Sequence, residues 1–96
     1  GPNIYYYSFS DEGRRMAEII AENFAAIYPD PELVITIPST TLAELRRTVA
    51  PANLIEVAYH DNWEDANWII NNIDPIARAL VLSLTQYFGI PFVEPQ

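Results

Sequence analysis

Three short runs of strand-forming residues, at positions 4–9, 33–37 and 54–58, alternate with stretches whose apolar residues recur every three or four positions. Short apolar runs between turn residues mark strands, and a 3.6-residue apolar period marks an amphipathic helix. Strands that alternate with helices confine a chain to the α/β class, where crossover helices join parallel neighbours. The expected fold is therefore α/β: a mostly parallel three-stranded partial sheet with amphipathic helices, in the order β-α-β-α(short)-β-α-α. In such sheets ligands gather beyond the carboxyl ends of the strands.

The punctuation supports this division. Ser10 offers an N-cap, and Asp11 and Glu12 stand in the first turn, where the helix dipole favours acids. Met16, Ile20, Phe24 and Ile27 supply one apolar face, with Glu18 and Glu22 on the wetter side. The helix is expected to reach about Tyr28, because Pro29-Asp30-Pro31 cannot continue it. Pro38 is expected to end the second strand. Thr41-Leu42-Ala43-Glu44 fits a capping box opening a short helical turn. Trp63, Ala66, Ile69 and Ile70 form the apolar face of a further helix, ended by Asn71-Asn72. Asp74-Pro75 is expected to restart a last helix, with Ile76, Leu80, Leu84 and Phe88 on its core side. Gly89 is expected to close that helix in the left-handed conformation.

Composition narrows the partners. The 96 residues carry a formal net charge of -8, and the five basic residues are all arginine. No basic stripe is present, which argues against nucleic acid and against attraction to an anionic membrane surface. The absence of cysteine excludes disulfides, thiolate metal ligands and a cysteine nucleophile. No signal peptide or transmembrane run is seen.

Glu56 breaks the apolar pattern of its run, standing among Leu54, Ile55, Val57 and Ala58. A buried carboxylate costs several kcal/mol unless it is paired or neutralised. Glu56 is thus a candidate functional residue, or else a structural acid paired with an arginine or turned to water. His60, the only histidine, has no H-E-x-x-H context, and no G-x-S-x-G elbow accompanies it. Glu56 and Asp61 could serve as two carboxylates, but closeness in sequence does not make them face each other. The tyrosines, Trp63 and Trp68 suit carbohydrate stacking or, more simply, a core.

The segment Thr48-Val49-Ala50-Pro51-Ala52-Asn53-Leu54-Ile55-Glu56-Val57-Ala58-Tyr59-His60-Asp61-Asn62, followed by Glu64-Asp65-Ala66, resembles the C-terminal signature of the zinc-dependent N-acetylmuramoyl-L-alanine amidases of the cell-wall hydrolase type. The shared pattern is a Pro, an apolar strand with a central Glu, an aromatic residue, an Asn, and an acidic pair opening a helix. Thr41-Leu42-Ala43-Glu44-Leu45-Arg46, the helix from Ser10 to Glu22 and the helix ending at Tyr87-Phe88-Gly89-Ile90 are also similar. Trp63 departs from the pattern, which commonly has Pro there.

The resemblance implies that residues 1–96 are the C-terminal portion of a single amidase-like catalytic domain. It implies hydrolysis of the amide between the muramic acid lactyl group and L-Ala in peptidoglycan. In that family a zinc ion held by two His and a Glu activates water and polarises the carbonyl. A further Glu, matched by Glu56, assists as general base. The zinc-ligand motifs have no counterpart in this sequence, and His60 does not match one. Zinc is accordingly expected in an intact parent enzyme, none in this chain, and the isolated chain is expected to be inactive. The expected setting is extracellular, at the cell wall of a bacterium, or a phage-encoded lysin. Peptidoglycan is the expected partner, with self-association through an uncovered sheet edge. The alternative is a non-catalytic peptidoglycan-binding or protein-interaction module.

Overall fold

The computed structural model describes residues 1–41, 53–56 and 63–94. Strand β1 (Asn3–Tyr7) leads into helix α1 (Asp11–Ala25), a 3₁₀ turn (Pro31–Leu33) and strand β2 (Ile35–Ser39). Strand β3 (Asn53–Glu56) follows, then helices α2 (Trp63–Asn71) and α3 (Ile73–Phe88). The short helix expected from Thr41 and the turn carrying His60 and Asp61 lie outside the described residues.

The sheet corrects the expected fold class. Parallel pairing is confined to two strands, β1 and β2, with Asn3 opposite Ile35 and Tyr7 opposite Ser39. Along the other side of β1 the segment 53–56 runs antiparallel, with Tyr6 opposite Asn53 and Asn3 opposite Glu56. The spatial order is β2-β1-β3. A mostly parallel three-stranded sheet in the order β-α-β-α(short)-β-α-α is thereby overturned. The register gives the reason. β2 ends level with Tyr7 and β3 begins level with Tyr6, at the same end of the sheet. A parallel strand would have required a return to the opposite end.

Strand limits also shift. Phe9 lies beyond β1 and is exposed. Pro38 does not end β2 but sits within it, opposite Tyr6. An edge strand tolerates proline because one side of its backbone makes no ladder bonds.

Helix α1 begins as its sequence predicts: the Ser10 hydroxyl accepts from the Gly13 amide at 2.9 Å. It ends at Ala25, earlier than the proline alone requires. The amides of Ile27 and Tyr28 both turn back to the Phe24 carbonyl. Ala17, Ile20 and Phe24 are buried and meet Ile4 of β1 and Ile76 and Ala79 of α3 in one core cluster. Tyr6, Ile55 and Trp68 pack against this cluster from its rim. The core thus lies between one face of the sheet, α1 and α3.

Helix α3 buries only the first half of its expected face: Ile76 is in the core and Leu80 packs against it, but the two later residues turn outward. Ile76, Ala79, Ser83 and Thr85 are buried, while Leu84 and Phe88 are exposed. The two buried hydroxyls are satisfied within the helix: Ser83 Oγ donates to the Ala79 carbonyl and Thr85 Oγ1 to the Leu82 carbonyl. Ser83 also accepts from Asn23 of α1 at 2.9 Å. The small residues Ala79 and Ser83 let α3 approach α1 closely, and Leu84 and Phe88 are left outside. The start of α3 moves as well, since Asn72 rather than Asp74 is its N-cap. Its end agrees with expectation: Gly89 adopts φ 67°, and the Ile90 amide returns to the Thr85 carbonyl. Among the described residues no helix is long and apolar enough to cross a membrane.

Candidate functional site

Glu56 is the last residue of β3 and stands opposite Asn3. Because β3 is antiparallel, this is the end at which β1 and β2 begin. Glu56 therefore does not lie beyond the carboxyl ends of the parallel strands, where the sequence pattern would put a ligand. Tyr7 and Ser39 mark that other end.

The strand that carries Glu56 is fixed by its own side chains. Ile55 faces Ile4 across the ladder and packs on the core cluster. At the opposite end of β3, Asn53 Nδ2 donates to the Tyr5 carbonyl and to the Gly13 carbonyl, each at 3.1 Å. One amide group thus ties β3 to both β1 and the first turn of α1. No such role was visible in the sequence, where Asn53 is only a polar residue before an apolar run.

At the Glu56 end of the sheet a buried polar group gathers three elements. Asp65, in the first turn of α2, is only 6% exposed. It accepts the hydroxyl proton of Tyr28, which follows the last turn of α1. Its second oxygen lies 3.4 Å from the Gly1 nitrogen, just ahead of β1. Burial, and then the adjoining Asp65 carboxylate, raise the Tyr28 hydroxyl well above its ordinary pKa. The Tyr28 ring also meets Trp68 edge-on, with centroids 4.9 Å apart. The expected apolar face of α2 is accordingly corrected. Trp63 and Ile70 are exposed, and an acid is buried in their place. The Tyr28 hydroxyl makes this possible, because a buried carboxylate with a charge-assisted partner costs far less than an unpaired one.

Two further features lie away from Glu56. Tyr87 of α3 donates to Glu12 of α1 at 2.6 Å, with the Arg15 guanidinium 4.4 Å above the Tyr87 ring. The Tyr87 hydrogen bond holds the Glu12 carboxyl below the usual range, and Arg15 acts in the same direction. A cleft of about 640 Å³ opens between α1 and α3, lined by Asn23, Ile27, Arg78, Leu82 and Glu94 among others. Among the described residues, none of the sheet lines it.

Among the described residues, no group of three or more His, Cys, Asp or Glu side chains could hold a metal ion. The described residues do not fit the zinc site of the family that the sequence resembles. No family model matches the chain, and comparison with curated proteins and with solved structures returns no match.

Proposed function

We propose that this chain is part of a peptidoglycan hydrolase that cleaves the N-acetylmuramoyl–L-alanine amide bond, with Glu56 as the assisting general base. The observation that carries the reading is the run from Pro51 through Glu56, Tyr59 and Asn62 to the acidic pair Glu64-Asp65. Two structural facts support it. The Glu ends a strand whose backbone is held on one side by β1. A general base must be held in place to act, since its contribution depends on reach to the proton it takes. Trp63, at the start of α2 and soon after Glu56 in sequence, is 77% exposed. An exposed indole suits stacking on a sugar ring.

In this reading the zinc ion belongs to ligands in the parent enzyme that this sequence does not contain. The isolated chain is inactive, and the site of action is the bacterial cell wall or the target of a phage lysin. The outer edge of β2 offers a surface for self-association. The test is Glu56→Gln in the parent enzyme, assayed on purified sacculi. Peptide release should fall by about 10²–10⁴-fold, the usual contribution of a positioned acid–base group. Unchanged release would sink the assignment.

A second reading, a non-catalytic peptidoglycan-binding or protein-interaction module, draws on the apolar groups left outside: Trp63, Ile70, Ile73 and Phe88. Sacculus binding by the purified chain that is lost in Trp63→Ala, together with a parent indifferent to Glu56→Gln, would favour it.

A further inference from the structure

We propose that the cleft between α1 and α3 binds a small monocarboxylate with an apolar body, and that Glu94 holds the place of that carboxylate in the free chain. The cleft encloses about 640 Å³. Sites for small ligands commonly span about 300–1,000 Å³, with apolar walls and a few placed polar groups. Both parts are present. Ile27, Pro75, Ala79 and Leu82 supply apolar wall, and Arg78 and Asn23 supply polar groups. None of these residues belongs to β3, so the site goes beyond the role given to Glu56.

The polar end of the ligand is read from Arg78. Its Nε donates to both carboxylate oxygens of Glu94, at 3.0 and 3.1 Å, and its Nη2 bonds the same group. A guanidinium fork matches a carboxylate through such paired donors. The Arg78 guanidinium also lies over the Phe92 ring, 4.9 Å from its centroid, which steadies the plane of the fork. Glu94 is held weakly. Its side chain is 63% exposed and that of Arg78 45%, and ion pairs this open contribute little. An incoming carboxylate can make the same bonds to Arg78 and also bury its body against Ile27 and Leu82, so it displaces Glu94 by the apolar area it removes from water. Asp74 lines the cleft too, which disfavours a second negative charge on the ligand. Arg14 and Arg15 pair with Glu18 and Glu12 on their own helix, and of the described arginines only Arg78 lines this cleft. Asn23 is already oriented, because its Nδ2 donates to Ser83 Oγ and to Gln86 Oε1, each at 2.9 Å. Its Oδ1 is the acceptor it can offer to a ligand N–H. The carboxylate can therefore come from an acyl chain, or from the last residue of a peptide, whose amide would suit Asn23.

The experiment is NMR titration of the 96-residue chain, labelled with ¹⁵N and ¹³C, with octanoate, N-acetyl-L-leucine and octanol. At least one of the two carboxylates should saturably shift the Arg78 Nε–H and the methyl groups of Ile27, Ala79 and Leu82. The Glu94 amide should move at the same time, toward its position in Arg78→Gln. Arg78→Gln should weaken that carboxylate about tenfold or more, the worth of a charge-assisted pair, and octanol should bind at least tenfold more weakly than octanoate. Glu94→Gln should tighten binding about two- to fivefold, because an exposed ion pair no longer closes the site for part of the time. Arg14→Gln, which removes a charge elsewhere, should leave binding unchanged. Both altered side chains of the pair are exposed, so neither variant threatens the fold. Tighter octanoate assigns an acyl chain, and tighter N-acetyl-L-leucine assigns a peptide carboxy terminus. No saturable shift with either carboxylate, octanol binding as well as octanoate, or affinity indifferent to Arg78→Gln or to Glu94→Gln would overturn the proposal.

Discussion

Replacing Asn53 by alanine removes a side chain that hydrogen-bonds β3 to both β1 and α1. Two hydrogen bonds are lost, to the Tyr5 and Gly13 carbonyls at 3.1 Å each. A typical intramolecular hydrogen bond contributes about 0.5–1.5 kcal/mol net, so the pair is worth roughly 1–3 kcal/mol. A carbonyl oxygen has two lone pairs, and those in ladders and helices commonly keep one backbone partner. The loss should therefore fall in the lower part of that span, about 1–2 kcal/mol. Urea unfolding followed by tryptophan fluorescence measures it, because Trp68 packs against the core and the Tyr28 ring. With a slope of about 1.5 kcal/mol per molar urea, the midpoint should drop by roughly 1 M. Asn53→Asp should be at least as harmful, since a carboxylate cannot donate and would face two carbonyl oxygens. A midpoint within about 0.2 M of wild type for Asn53→Ala, or a milder effect for Asn53→Asp, would refute the bridging geometry.

Two other expectations concern stability. The Tyr28 hydroxyl is raised above the ordinary tyrosine value, so the folded state holds its proton more tightly than the unfolded chain. Its contribution is complete below about pH 10 and declines as pH rises beyond that, by up to roughly 1.4 kcal/mol per pH unit. Tyr28→Phe should flatten the alkaline limb of a stability–pH profile, and an unchanged limb would contradict the assignment. Gly89→Ala places a side chain at φ 67° in open space, with nothing within 4 Å of the added carbon. The cost is then backbone strain alone, about 1–2 kcal/mol, and should appear as a thermal midpoint lowered by roughly 4–16 °C.

Several elements were legible from the chain because their signals are local. The Ser10 cap, the apolar face of α1 and the left-handed Gly89 each depend on residues within a turn of one another. Strand direction is not local. The run at 54–58 has the same composition whichever way it pairs, and only the register of residues 53–56 with β1 shows that this part runs antiparallel. The buried face of α3 was hidden for another reason. Four-residue spacing marks an apolar stripe, and Ile76 and Leu80 do meet the core, but further along the helix the small Ser83 faces α1 and Leu84 and Phe88 turn outward. Asp65 was legible as a first-turn acid and not as a buried anchor, because its partner Tyr28 lies 37 residues earlier in the chain. Of the candidate site, the place of Glu56 in a strand could be read directly. The end of the sheet on which it stands could not.

Glu56 remains the residue on which the functional account turns. The most direct measurement is the rate at which the parent enzyme carrying Glu56→Gln releases peptide from purified sacculi, with sacculus binding followed in parallel. The account predicts a fall of about 10²–10⁴-fold in rate with binding retained. Release at the wild-type rate would contradict it.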